Sequence, residues 1–123
     1  MSEKKSSVVE RRAHPRMRTE LEVQGTPEAG GGVVARMVTS DLSVGGLLCV
    51  STADFPEMTR LAVRLMLPCE QNGSDTEAVD VEAVVVRREA IRSVSGEPRF
   101  ELALFFTNLR NGAREQLTRY LGG

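Results

Sequence analysis

The stretch "RLAVRLML", residues 60–67, settles the class of fold. Leu61, Val63, Leu65 and Leu67 alternate with Arg60, Ala62, Arg64 and Met66. A period of two is that of a β-strand with one face against a core. Working outward, the same period returns on both sides. Upstream, Leu21 and Val23 alternate with Glu20 and Glu22, Val33 to Ser40 is rich in β-branched residues, and LLCVS (47–51) resumes after DLSVGG. Downstream, Val79, Val81, Ala83 and Val85 alternate with Asp80, Glu82 and Val84, and Phe100, Leu102, Leu104 and Phe106 alternate with Glu101, Ala103 and Phe105. PEAGGG (27–32), CEQNGSDT (69–76) and SVSGEP separate these runs with turn residues. Six short strands divided by such turns predict an all-β fold, an antiparallel barrel or sandwich.

The period changes only at the end of the chain. Ala113, Leu117, Tyr120 and Leu121 fall at i, i+4, i+7 and i+8, the apolar stripe of a helix placed at about 110–121. Asn108 or Asn111 is expected to cap it, because a short polar side chain can accept from the free N–H groups of the first turn. The helix is expected to cover an opening or an edge of the sheet.

With 123 residues the chain suits one domain: a loose tail over 1–9 and a single domain over 10–123. Hydrophobic residues at 41% and charged residues at 27% describe a globular protein. The net charge of −1 conceals an uneven distribution. Residues 1–18 hold six basic groups against two acidic ones, whereas the remaining 105 hold ten against fifteen. Positive charge gathered at the front suggests an anionic partner there. Cys49 and Cys69 form no CxxC pair and read as two buried thiols. Without an apolar leader segment or a run of about 18 apolar residues, no membrane span is read and a cytoplasmic location is expected.

Enzyme chemistry finds little support. His14 is the single histidine, so a nucleophilic triad would have to join it to Ser43 and Asp41, and DLSVGG is not the GxSxG elbow that such a serine needs. One histidine and two cysteines twenty positions apart give no metal-ligand spacing, and no phosphate-binding glycine loop is present, so neither a metal nor a cofactor is expected.

Binding is the better class. RRAHPR (11–16) places Arg12 and Arg16 four apart, on one side of an extended segment or of one helical turn. Pro15 biases His14 towards extended geometry and reduces the entropy lost when this arm, residues 10–18, becomes ordered. A guanidinium is a planar fork that matches phosphate oxygens and equally the O6 and N7 edge of guanine. The competing reading is a solvated basic stretch paired with Glu10 or Glu20. In DLSVGG (41–46), Asp41 and Ser43 lie two apart and can face the same way, offering an acceptor and a hydroxyl to the edge of a base. Gly45 and Gly46 permit positive φ and the close approach of backbone or ligand. The same six residues also read as a turn whose Asp and Ser satisfy nearby backbone groups.

RAHPR at 12–16 followed by DLSVGG at 41–46 resembles the RxxxR and [DN]xSxxG motifs of the PilZ family, bacterial receptor domains for cyclic dimeric GMP. The resemblance continues through FELALFFTNL (100–109) and the closing helix, over about residues 10–121. It implies a six-stranded antiparallel split β-barrel with a C-terminal helix and an N-terminal arm that wraps a ligand on the barrel surface. It further implies that Arg12 and Arg16 bind phosphate and guanine with Arg11 as a helper, that Asp41 and Ser43 hydrogen-bond guanine, and that Gly46, beside Gly45, leaves room for the base. Ala103 departs from the family's usual glycine and Phe105 from its usual polar residue. Phe105 is read as stacking on a guanine, packing under the helix, or lying in a contact between two copies.

The expectation is therefore a non-enzymatic sensor for cyclic di-GMP that passes its signal by contact to a partner protein. Two rivals stand beside it: a module of the same fold that binds only protein, and a barrel that binds nucleic acid through its basic front. The modest positive charge and the lack of an aromatic-rich strand face speak against the second.

Overall fold

The structure is a computed structural model and describes residues 16–28, 34–69, 75–92, 96–110 and 112–122. The expected tail (1–9), together with Arg11, Arg12 and His14, lies outside the described residues. Seven strands are seen among those described: β1 (Met17–Arg18), β2 (Glu22–Pro27), β3 (Ala35–Leu42), β4 (Gly46–Ser51), β5 (Arg60–Cys69), β6 (Asp75–Arg92) and β7 (Pro98–Leu109). One helix follows, α1 (Ala113–Tyr120).

The sheet runs β3-β2-β5-β6-β7-β4, every pairing is antiparallel, and β4 returns to pair with β3. That return closes a six-stranded barrel. β1 is a two-residue addition beside the end of β3, with Met17 opposite Leu42 and Arg18 opposite Asp41. The expected six-stranded antiparallel barrel with a C-terminal helix is the fold found.

Alternation fills the interior. Leu61, Val63, Leu65 and Leu67 of β5, Val79, Val81, Ala83 and Val85 of β6, and Leu102, Leu104 and Phe106 of β7 are all buried. Cys49 is buried among them, with its Sγ 3.7 Å from Met37 Sδ. Burial, assisted by the charge of Glu101, pushes its thiol pKa up to about 12. The side chain of Cys69 lies outside the described residues.

Three details differ from the expectation. β6 and β7 run well beyond 79–85 and 100–106 as a long hairpin, with Ile91 opposite Arg99. Its far end exposes both faces to solvent, so no apolar alternation marks it in the sequence. Arg88 there lies over the Phe100 ring, 5.1 Å from its centroid, and forms an ion pair with Asp54. Secondly, Val86 is an extra residue between the Val85–Leu104 and Arg87–Ala103 pairs, a bulge that breaks the period across VVVRR. Thirdly, the cap is Gly112 at φ 78° with no side-chain bond; of the two asparagines expected there, Asn108 belongs to β7 and Asn111 lies outside the described residues. The chain must turn there through a left-handed conformation that glycine adopts without strain.

Ala113 and Leu117 plant α1 in the core, with Tyr120 and Leu121 packed against its edge. The helix is fastened at two further points. Gln116 Nε2 donates to Glu77 Oε2 at 2.7 Å, and the Tyr120 and Thr19 hydroxyls lie 2.8 Å apart. Among the described residues, no helix is long and apolar enough to cross a membrane.

Candidate functional site

The site is built where the arm joins the barrel. From Arg16 to Val23 the chain alternates strictly: Arg16, Arg18, Glu20 and Glu22 are exposed, Met17 and Thr19 are half-buried, and Leu21 and Val23 are buried. One continuous strand is interrupted at 19–21, between β1 and β2. The buried hydroxyl of Thr39 spans that break, accepting from Leu21 N at 2.8 Å and donating to the Thr19 carbonyl at 2.5 Å. Backbone bonds from Thr19 N to Ser40 O (3.2 Å) and from Thr39 N to Leu21 O (3.0 Å) complete the junction. The arm therefore leaves the barrel at a fixed point.

β3 carries a bulge at the same level. Thr39 pairs with Cys49 and Asp41 with Leu48, so Ser40 is the extra residue. Without it, alternation from Met37 and Thr39 would turn residue 41 into the core; with it, Asp41 faces outward and Leu42 inward. Asp41 Oδ1 accepts from Arg16 Nε at 3.1 Å and lies 3.0 Å from Arg16 Nη2. The second arginine of RAHPR and the acid of DLSVGG thus meet on the outer face. Their side chains are 34% and 23% exposed, and a pair that wet is worth about 0–1 kcal/mol. An incoming anion can break it at little cost.

Ser43 is placed differently from Asp41. It is 3% exposed, and its Oγ accepts from Gly45 N (3.1 Å) and Gly46 N (3.2 Å). The two side chains do not share a face: Asp41 looks outward, while Ser43 is buried within the turn that it stabilises. Gly45 gives its carbonyl to Phe106 N at 2.9 Å. A Cβ on Gly46 would stand 2.2 Å from the Leu104 carbonyl oxygen. The close approach that requires glycine at 46 is therefore that of the neighbouring strand. Neither Gly45 nor Gly46 has a positive φ.

Cross-strand pairs lay out the surface around this turn. Asp41, Leu48, Ala103 and Arg87 form one row, and Gly46, Phe105 and Val84 form the next. Phe105 is 54% exposed, so it is not packed beneath α1 and presents an aromatic face beside the turn. Leu48 and Ala103 are half-buried and supply an apolar floor between Asp41 and Arg87.

A second open region on the β2, β5 and β6 face, about 670 Å³, offers less chemistry because both of its arginines are already paired with carboxylates. Arg64 Nε donates to Asp80 Oδ1 at 2.8 Å and holds that carboxyl below the usual range, and Arg110 Nη2 donates to Glu82 Oε2 at 2.6 Å. Among the described residues, no group of histidine, cysteine, aspartate or glutamate could hold a metal ion.

Reading the sequence missed Thr39, Ser40 and Leu48. A threonine or serine in a β-branched run carries no mark of a bulge, and Leu48 reads as one more apolar residue of a strand.

Comparison with known proteins agrees with this geometry. The family model of the PilZ domain matches residues 10–123. Among solved structures, the inhibitor of motility MotI/DgrA of Bacillus subtilis is 26% identical at a TM-score of 0.68, over 89% of this chain and 48% of that one. The chain thus spans about half the length of that protein. The PilZ domain of YcgR from Escherichia coli, solved with c-di-GMP, is 21% identical at a TM-score of 0.62 and covers 89% of this chain and 87% of that one. The PilZ domain of CeSA from a cellulose-synthesizing bacterium is 20% identical at 0.56, over 88% and 96%. No curated protein matches. With the family model matching nearly the whole chain, and with the barrel, the arm junction and the glycine turn in register with one another, the chain belongs to the PilZ domain family.

Proposed function

We propose that this protein is a cytoplasmic, non-enzymatic receptor for cyclic di-GMP whose arm, residues 10–18, orders on the ligand and whose altered surface is read by a partner protein. The observation that supports this reading is the contact between Arg16 and Asp41, which joins the last arginine of the first motif to the acid of the second. In the complex, Arg12 and Arg16 hold phosphate and guanine with help from Arg11. Asp41, freed from Arg16, accepts from the amino and imino donors of guanine. Phe105 stacks on a base over the floor of Leu48 and Ala103. Ser43, Gly45 and Gly46 serve by keeping the turn in shape.

Titration calorimetry tests the assignment. A charge-assisted hydrogen bond is worth about 1.5–3 kcal/mol, so Arg12→Ala or Arg16→Ala weakens binding about ten- to a hundredfold. Equal affinity in the parent and both variants rejects the role of the arm. Asp41→Ala harms the preference for guanine more than it harms overall affinity. Cyclic di-AMP competing as well as the GMP form against the parent would overturn the base reading.

A second reading, a module that binds protein and no nucleotide, draws on the engagement of Asp41 by Arg16 and of Ser43 by its own turn. It predicts no heat in the same titration. Light scattering with and without ligand decides whether two copies associate.

A further inference from the structure

Arg18 and Glu20 are left over from the site just described. They continue the exposed series that begins at Arg16, two residues apart on one side of the strand, and Arg18 is the direct partner of Asp41 across the ladder. Among the described residues, neither side chain takes part in a hydrogen bond or an ion pair, although Asp41 lies beside Arg18 and is taken by Arg16. Both line a shallow cavity of about 600 Å³ at the break between β1 and β2. Its other walls include Ser40, the bulged residue, and the cross-strand pair Val38 and Val50, of which Val38 is 48% exposed. The size falls within the range of about 300–1,000 Å³ of small-ligand sites.

These groups form a matched set. A free guanidinium suits phosphate, or the O6 and N7 edge of guanine. A free carboxylate, which would repel a simple anion, accepts from the N1–H and N2 amino donors of guanine; adenine presents an acceptor at N1 instead. Two valines side by side offer an apolar surface to the flat face of a base. Phosphate, guanine edge and base face are what one guanylate half of a cyclic dinucleotide presents.

We propose that the cavity at the strand break is a second guanylate subsite, in which Arg18 holds phosphate and Glu20 reads the base edge. This rests on the cyclic di-GMP reading above and assigns the second half of that ligand: Asp41 reads one guanine and Glu20 the other. The strand between them carries Arg16, Arg18 and Glu20 as successive outward residues, so one extended segment addresses both halves.

The test titrates cyclic di-GMP and cyclic di-AMP into the full chain and its Arg18→Ala, Glu20→Gln and Arg114→Ala variants. Arg114, exposed on α1, controls for the loss of one positive charge. Arg18→Ala is expected to bind cyclic di-GMP at least about tenfold more weakly, as the loss of one charge-assisted contact implies, with an unliganded melting temperature equal to that of the parent. Arg114→Ala stays within about twofold of the parent, because no direct contact is removed. Glu20→Gln narrows the preference for the GMP form over the AMP form about tenfold. If the parent binds and Arg18→Ala binds equally well, the subsite is refuted while the receptor reading stands. If Glu20→Gln binds more tightly with unchanged preference, Glu20 does not read the base. If the parent itself gives no heat with cyclic di-GMP, the receptor reading falls and takes the subsite with it.

Discussion

Gly46→Ala separates two explanations of the last glycine in DLSVGG. If the glycine clears space for a base, the variant folds normally and loses affinity. The structure supports the other outcome. The added Cβ would sit 2.2 Å from the Leu104 carbonyl oxygen, whereas real Cβ contacts do not fall below 3.0 Å, so β4 and β7 must part by at least the difference, about 0.8 Å. The obstacle is backbone, and no side chain can swing aside to relieve it. A bond such as Phe106 N to Gly45 O, now 2.9 Å, would lengthen to about 3.7 Å and cease to count as one. Two or three buried backbone bonds at about 1 kcal/mol each are at stake. Some packing of Leu47 and Leu104, 1% and 3% exposed, goes with them. The total is about 2–4 kcal/mol, in the range of mutations that disturb a core. With a urea slope of about 2 kcal/mol per molar, the middle of the usual range, the unfolding midpoint falls by about 1–2 M. Urea denaturation followed by circular dichroism, without ligand, reads this directly. A midpoint equal to that of the parent would refute the close-approach argument and return Gly46 to the ligand.

Two further outcomes follow from buried groups. Thr39→Val removes the hydroxyl that bridges Thr19 and Leu21 while keeping the shape; it should cost about 1–3 kcal/mol and speed amide exchange at Leu21, and unchanged exchange there would mean that the junction is held by other bonds. Cys49, with its thiol pKa near 12, should resist thiol reagents at pH 8 in a Cys69→Ser background until the chain is unfolded. Because the unfolded thiol ionises near pH 9 and the folded one does not, the unfolded state binds fewer protons between those values and stability falls as pH rises above about 9. Rapid labelling of the native protein would contradict the burial.

The sequence by itself determined the strands of the barrel and the stripe of the helix, because a half-buried strand and an amphipathic helix each write their period directly into the order of residues. Leu61 to Leu67 and Ala113 to Leu121 needed nothing else. It also set the two motifs side by side as a pair whose chemistry suits a phosphate and a purine. Tertiary structure alone decided how they meet. A single extra residue, Ser40, turns Asp41 outward to Arg16, and a one-residue shift of this kind leaves no trace in composition or spacing. Ring closure by β3 and β4, a pairing between residues brought together by the whole sheet, then sets β7 against Gly46 and exposes Phe105 beside the turn. Local period is a property of neighbours along the chain; which side chains share a patch is fixed by register between strands far apart in sequence, and register is settled only when the barrel closes.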